Sequence, residues 1–201
     1  MHRRVPAQVG SPYPWYVVAG GQVSAVTLED TIRFTEEAIL AGRRELVTTT
    51  NAYAATLARK DARLAQAFRA SALVIPDGFY VTRVGRRRAS RPVGRVRGTD
   101  TLVAFAELAA RKGYTSYFYG GVPGIAGKVI AQLTRRFPGF VSAGAHSPPY
   151  RPPTPEEDEA DVQRINAANP DVLWVGLGCP KQEIWAHEHR PRLNARVIVP
   201  V

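Results

Sequence analysis

Four apolar stretches of this chain each run directly into a polar or glycine-rich turn, and helical patterns lie between them. Arg44 to Thr50, rich in β-branched residues, leads into Asn51, and Ser71 to Ile75 is halted by Pro76-Asp77-Gly78. Tyr114 to Tyr119 leads into Gly120-Gly121-Val122-Pro123-Gly124. Asp171 to Val175 leads into Gly176-Leu177-Gly178-Cys179-Pro180-Lys181-Gln182-Glu183. Short buried strands alternating with helices predict an α/β fold: a Rossmann-like, largely parallel sheet with helices on both faces. Ligands of such sheets gather beyond the carboxyl ends of the strands. The four turns are therefore where chemistry is expected.

The helical segments carry their own start and stop signals. Thr27-Leu28-Glu29-Asp30 supplies a hydroxyl cap and early carboxylates, Leu28, Ile32, Ala38 and Ile39 share a face, and Gly42 ends the element. A helical pattern from Ala52 to Phe68 reads as one or two pieces, and Asp100 is expected to cap a helix closing at Gly113. Another helix follows the Gly120 turn to Phe137. Thr154-Pro155-Glu156-Glu157 combines a cap, a first-turn proline and a capping-box glutamate for a helix reaching Ala168. Gln182 to His189 reads as helix and Arg196 to Val199 as a last strand. At 201 residues the expectation is a single domain over residues 16–201 behind a loose leader, residues 1–15. Pro148 to Pro155 reads as a surface loop.

Each turn has a chemical and a plain interpretation. Thr49 and Asn51 can hydrogen-bond sugar or phosphate oxygens, or simply cap the next helix. Asp77, at the end of an apolar strand, can accept a proton from a substrate hydroxyl, and partial burial raises a carboxylate's pKa toward that role; the alternative is an ordinary turn aspartate. Gly120 and Gly121 allow backbone N–H groups to approach a phosphate, although the spacing matches neither the dinucleotide fingerprint nor a P-loop. In the fourth turn Gly178 brings the backbone close, Lys181 offers a cation, and Gln182 and Glu183 can grip hydroxyls or a base edge. Such a dense polar cluster is hard to justify by stability alone. An arginine belt, Arg83, Arg86, Arg87, Arg88, Arg91, Arg95 and Arg97, lies between the second and third turns. Most of it reads as a solvated loop, with one or two arginines available to a diphosphate and others to acidic headgroups.

A formal net charge of +10 calls for an anionic partner: a phosphate-bearing ligand, nucleic acid or an acidic membrane surface. No aromatic residues interleave the belt as a single-strand stacking platform requires, so nucleic acid is disfavoured. Cys179 is the sole cysteine, which rules out an internal disulfide and fits a reducing compartment. Without a histidine partner in view, it reads as a small structural residue rather than a nucleophile. No apolar run is long enough to span a bilayer. No Cys/His cluster offers a zinc site, and neither metal nor organic cofactor is expected.

Taken together, Thr49-Thr50-Asn51, Pro76-Asp77-Gly78, Arg95-Val96-Arg97-Gly98-Thr99-Asp100, Tyr119 to Gly124 and Gly176 to Glu183 resemble, in order and spacing, the WecG/TagA/CpsF glycosyltransferases over roughly residues 16–201. The Pro-Lys-Gln-Glu stretch is the most specific. The resemblance implies inverting, metal-independent transfer of N-acetylmannosamine or a related hexose. The donor would be a UDP-sugar and the acceptor a polyprenyl-diphosphate-linked sugar, at the cytoplasmic face of the membrane. The products would serve teichoic acid, common antigen, capsule or exopolysaccharide synthesis. Carried over by residue, Asp77 would be the base, with Thr49 and Asn51 beside it. Arg95 would stabilise the departing diphosphate. Gln182 would contact substrate, while Gly120, Gly121, Gly178, Lys181 and Glu183 would help hold the nucleotide. Association into a homo-oligomer stays open.

The chain departs from that pattern twice. His146-Ser147-Pro148-Pro149-Tyr150 replaces a usual Gly-Tyr pattern, and the sequence stops at Pro200-Val201, where relatives continue with a glycine-rich turn, Phe-Asp and a basic tail. The competing expectation is therefore a non-catalytic UDP- or lipid-binding relative inactivated by truncation.

Overall fold

The computed structural model describes residues 11–201, so residues 1–10 of the expected leader lie outside the described residues. Within the rest of that leader, the Tyr13 hydroxyl donates to the Asp30 carbonyl, and the Arg91 guanidinium lies over its ring. The chain then forms an antiparallel hairpin, β1 (Trp15–Val18) and β2 (Gly21–Ser24), in a stretch with no clean periodicity. What selects the hairpin is tertiary burial, since Tyr16 and Val23 pack with Val81 and Val93.

Six strands then build one sheet: β3 (Glu45–Thr50), β4 (Leu73–Pro76), β5 (Thr115–Gly120), β6 (Val141–His146), β7 (Val172–Gly176) and β8 (Val197–Pro200). Their order is β4-β3-β8-β7-β5-β6, and every pairing is parallel. The helices are α1 (Leu28–Leu40), α2 (Ala52–Leu57), α3 (Ala62–Ala70), α4 (Phe79–Arg88), α5 (Gly98–Lys112), α6 (Ile125–Arg136), α7 (Pro155–Ala168) and α8 (Lys181–His189). The doubly covered parallel sheet expected from the sequence is the fold observed.

Residue alternation along the central strands divides the core in two. Val172, Trp174, Val197 and Val199 face one layer with Phe34 and Ala38 of α1 and Phe105 and Ala109 of α5. Leu173, Val175 and Ile198 face the other, with Val162 and Ile165 of α7 and Ala186 of α8. Trp174 fills the middle of the first layer, 5.9 Å from the Phe105 ring, and its indole N–H finds the Ser116 hydroxyl at 3.2 Å. That bond meets the polar requirement which otherwise makes a buried tryptophan costly.

Local signals behave largely as read. Thr27 and Asp30 form a capping box at α1, as Thr154 and Glu157 do at α7, and Gly113 ends α5 in the left-handed region. The Ala52–Phe68 pattern resolves into two helices, the second capped by Asp61. Three elements differ from expectation. Asp100 does not cap α5: the helix starts at Gly98 with Arg97 at the cap, and Asp100 sits in the first turn, 2.8 Å from the Arg97 guanidinium. Part of the arginine belt is helix α4, whose Val81, Thr82 and Gly85 face inward. A Cβ on Gly85 would lie 2.5 Å from the Tyr16 ring, so only glycine lets this helix seat on the hairpin. Val141 to His146, too rich in small residues to read as a strand, becomes edge strand β6 by pairing with β5.

Candidate active site at the carboxyl edge of the sheet

The carboxyl ends of β3 and β4 are in register, with Thr50 paired to Pro76. The next residues, Asn51 and Asp77, therefore emerge side by side. Asn51 takes the plain role considered for it, its side-chain oxygen accepting from the Ala54 N–H at 3.0 Å to cap α2. Thr49, on β3 two residues before Asn51, is buried. The Asp77 N–H donates to the Thr50 carbonyl at 2.9 Å, and the Arg95 Nε–H donates to the Asp77 carbonyl at 2.9 Å. A Cβ on Gly78 would lie 2.9 Å from that of Asn51, so the two turns touch. The Asp77 backbone is thus held from both sides while its half-buried carboxylate has no hydrogen-bond partner among the described residues. Burial pushes that carboxyl above its ordinary range, and the nearby charges of Arg95 and Arg97 pull it part of the way back. The outcome is a poised, unshared carboxylate, as a general base requires.

Arg95 spends only its Nε on the turn, which leaves both terminal guanidinium nitrogens without a partner among the described residues. The rest of the belt sorts by contact. Arg91 pairs with Asp30 and Arg97 with Asp100, while Arg86 donates to the Val93 carbonyl. Arg83, Arg87 and Arg88 are exposed and make no ion pair or hydrogen bond among the described residues.

The strand order sets Gly120 four interstrand spacings from Asp77, about 19 Å along the edge. Two loops narrow that gap. The Gly121 N–H donates to the Gly176 carbonyl at 2.8 Å, tying the β5 and β7 turns together. The loop after β7 then crosses over β8, so that Cys179 and Ile184 pack with Ala54, Leu57 and Ala58 beside the Asn51 cap. At the end of β8, the Val201 N–H donates to the Val175 carbonyl, and Gly98 is backed against Val201, where a Cβ would meet it at 3.1 Å. Gly120, with φ +114°, admits no side chain: a Cβ there would lie 2.3 Å from the Gly176 carbonyl oxygen. Gly120→Ala is expected to cost ~3 kcal/mol or more, from left-handed strain and overpacking together. Urea unfolding measures it, and a loss under 1 kcal/mol would show that these turns are not locked.

The Gly176–Glu183 segment is internally braced. Gln182 is buried, with its Oε1 accepting from the Gly178 N–H at 2.9 Å and its Nε2 donating to Glu183 at 3.2 Å. One Nε2 hydrogen therefore remains for a ligand. Glu183 is 1% exposed, and its second oxygen has no hydrogen-bond partner among the described residues. Burial raises its pKa, and the same burial, followed by the Glu183 charge, pushes the Cys179 thiol up to about 12. A thiol so hard to ionise is no nucleophile. Because folding raises the Glu183 pKa, ionising it costs the folded state. That cost is absent at low pH and grows as pH rises from the unfolded carboxyl value through the folded one. Glu183→Gln is therefore expected to raise Tm, with a gain that grows over this interval. A Tm difference flat with pH would show that Glu183 is not a desolvated carboxyl. Lys181, by contrast, is exposed, with its ammonium 5.4 Å from the Tyr150 ring centre.

The sequence reading did not anticipate what β6 adds here. Ser147 donates to the Gly120 carbonyl at 3.2 Å, and His146 Nε2 lies 3.1 Å from the buried Asp161, which also accepts from the Tyr119 hydroxyl. His146 and Ser147 were marked in the sequence by their departure from the family pattern, but these contacts follow only once β6 is known to be a strand ending at His146. A recess of about 460 Å³ lined by Arg44, Ala70, His187, Arg190 and Pro191 opens at the opposite edge. Its arginines are already held, Arg44 by the Leu193 carbonyl and Arg190 by the Ala70 carbonyl, so it offers no competing constellation.

Known proteins resemble this chain. An N-acetylglucosaminyldiphosphoundecaprenol N-acetyl-beta-D-mannosaminyltransferase of Bacillus spizizenii is 30% identical over 118 residues, 58% of this chain and 44% of its own. The protein of the same name from Bacillus subtilis is 26% identical over 145 residues, covering 72% and 55% respectively. The matched part thus spans about half the length of these relatives. The profile of the Glycosyl transferase WecG/TagA/CpsF family matches residues 16–201, which takes in the whole sheet and every turn described above, and the chain belongs to that family.

Proposed function

We propose that this protein transfers a sugar from a UDP-sugar to a polyprenyl-diphosphate-linked sugar, with inversion and without a metal ion. The observation that carries this reading is the Asp77 turn: a half-buried carboxylate without a hydrogen-bond partner among the described residues, with the Arg95 fork, equally unpartnered among them, anchored beside it. The relatives' names supply the acceptor class, a diphosphoundecaprenol-linked N-acetylglucosamine, and the sugar, N-acetylmannosamine.

In this mechanism the Asp77 carboxylate takes the proton of the acceptor hydroxyl as its oxygen bonds to the anomeric carbon. The bond from that carbon to the β-phosphate oxygen breaks, and its electron pair leaves with UDP. Attack opposite the leaving group inverts the centre. Arg95 meets the charge developing on the diphosphate through two parallel N–H donors. The Gly120–Gly121 and Gly176–Gly178 turns receive the nucleotide, with Lys181 and the remaining Gln182 N–H as side-chain donors. Thr49 and Asn51 wall the acceptor end. Because a prenyl chain anchors the acceptor, the protein works as a peripheral protein at the inner membrane face. No helix among the described residues is long and apolar enough to cross the membrane.

UDP release from a panel of UDP-sugars, with and without a short-chain lipid-diphosphate-N-acetylglucosamine acceptor, tests the assignment. Acceptor-dependent release names the donor. Folded protein that binds UDP yet releases none from any donor is instead a binding-only relative.

A further inference from the structure

Eight large apolar side chains are exposed among the described residues, and they are not scattered evenly. Tyr53, Phe79, Tyr80, Val122, Ile125 and Tyr150 all follow the carboxyl ends of strands, leaving only Leu40 and Val141 at the other edge. Scattered exposed apolar residues need no explanation, but a rim of them around one edge does. The densest part flanks the Asp77 turn. Tyr53 is 64% exposed just past Asn51, and Phe79 and Tyr80, at 59% and 70%, open α4 with their rings edge to face at 5.6 Å.

The same helix carries Arg83, Arg87 and Arg88, which make no ion pair or hydrogen bond among the described residues. Its sequence, Phe-Tyr-Val-Thr-Arg-Val-Gly-Arg-Arg-Arg, holds four arginines and no acid. A favourable helix dipole accounts for basic residues in the last turn. It accounts for neither Arg83 in the middle nor two solvated aromatics at the start. With Val81 and Gly85 fixed against the hairpin and the Thr82 hydroxyl donating to the Gly78 carbonyl at 3.0 Å, the opposite face is rigidly presented: aromatic at the site end and cationic along its length.

We propose that this face of α4, with Tyr53 beside it, docks the protein on an anionic phospholipid surface, with the Asp77 turn at headgroup level. Phe and Tyr rings suit the interface between acyl chains and headgroups, and Arg83 and Arg87, on the same face as those rings, meet lipid phosphates. Nucleic acid fits less well, because the aromatics sit at one end of the helix and do not alternate with the arginines. The proposal rests on the lipid-linked acceptor assigned above: an acceptor held in a bilayer reaches Asp77 only if the bilayer lies beside that turn.

Flotation of the whole protein with vesicles tests it, using phosphatidylcholine alone and phosphatidylcholine mixed with phosphatidylglycerol. The wild type is expected to float with the anionic vesicles and to be released by salt. The double variant R83Q/R87Q lowers partitioning roughly 30-fold, R83K/R87K restores it, and F79S/Y80S weakens it at every salt concentration. All three variants change exposed side chains and keep the wild-type Tm. They also keep UDP release with a water-soluble short-chain acceptor, and those that lose flotation lose release with a long-chain acceptor in anionic vesicles. Flotation of R83Q/R87Q and F79S/Y80S equal to wild type overturns the docking face, as does retention on arbitrary DNA without vesicle binding. Soluble-acceptor turnover without flotation sinks the docking and spares the transferase. Flotation that depends on α4, with no turnover on any acceptor, does the reverse.

Discussion

Asp77→Asn is expected to lower kcat by roughly 10²- to 10⁴-fold, the range a general base supplies. UDP affinity should be kept or slightly raised, because asparagine keeps the shape of the side chain and removes a negative charge beside the diphosphate. The backbone bonds that hold the turn, from the Asp77 N–H to Thr50 and from Arg95 to the Asp77 carbonyl, do not involve the carboxylate and survive the change. In the wild type the base must be ionised. Burial raises the Asp77 pKa, so the acid limb of kcat/KM lies above the ordinary carboxylate range, and activity falls as pH falls through it. Stability runs the other way. A raised folded pKa means that ionisation costs the folded state, so Asp77→Asn is at least as stable as wild type at neutral pH. Turnover and equilibrium UDP binding, measured on the same preparation, decide the matter. Unchanged turnover would remove Asp77 from the mechanism.

Arg95→Gln is expected to cut kcat by roughly 10²- to 10³-fold, the loss typical when one preorganised donor to developing charge is removed. It carries a second signature that a merely structural arginine would lack. Arg95 is the largest charge lowering the Asp77 pKa, so its removal moves the acid limb of the residual activity to higher pH. Arg95→Lys keeps that charge and returns the limb toward its wild-type position. It recovers kcat only in part, because a point charge cannot hold two phosphate oxygens in parallel. A kcat loss with an unmoved acid limb would separate Arg95 from Asp77. An unchanged kcat would return Arg95 to the solvated part of the belt.

Much of this site was legible in the chain because its signals are local. A β-branched run ending at Asn51 and an apolar run ending at Pro76-Asp77-Gly78 each announce a strand and its terminus within a few residues. Once the sheet is known to be parallel, both turns must fall on one edge. The capping box at Thr27 and Asp30 and the left-handed stop at Gly113 are equally local. Helix α4 is the counter-example. A run of arginines interrupted by Gly85 and lacking a side-chain cap reads as a solvated loop, yet the helix forms because Gly85 lets it sit against Tyr16, some 70 residues away in sequence. Strand β6 fails for a related reason: its small residues have little strand preference of their own, and pairing with β5 overrides that weakness.

Glu183 and Gln182 show the same limit within the site. Their types suggest ligand contacts, but the fold buries both and turns Gln182 toward Gly178 and Glu183, so much of their hydrogen bonding braces a loop. By itself the sequence determined the parallel α/β class and the four turns at the strand ends, because each is written in contiguous residues. Asp77 stood out at one of those turns, whereas Arg95 was singled out of its belt only by the family resemblance. Only the tertiary structure decided the strand order, the crossing of the Gly176–Lys181 loop toward Asn51, which arginines of the belt are spent on partners, and which aromatics are left facing solvent beside Asp77. Those features depend on burial between segments far apart in the chain, which no local pattern encodes.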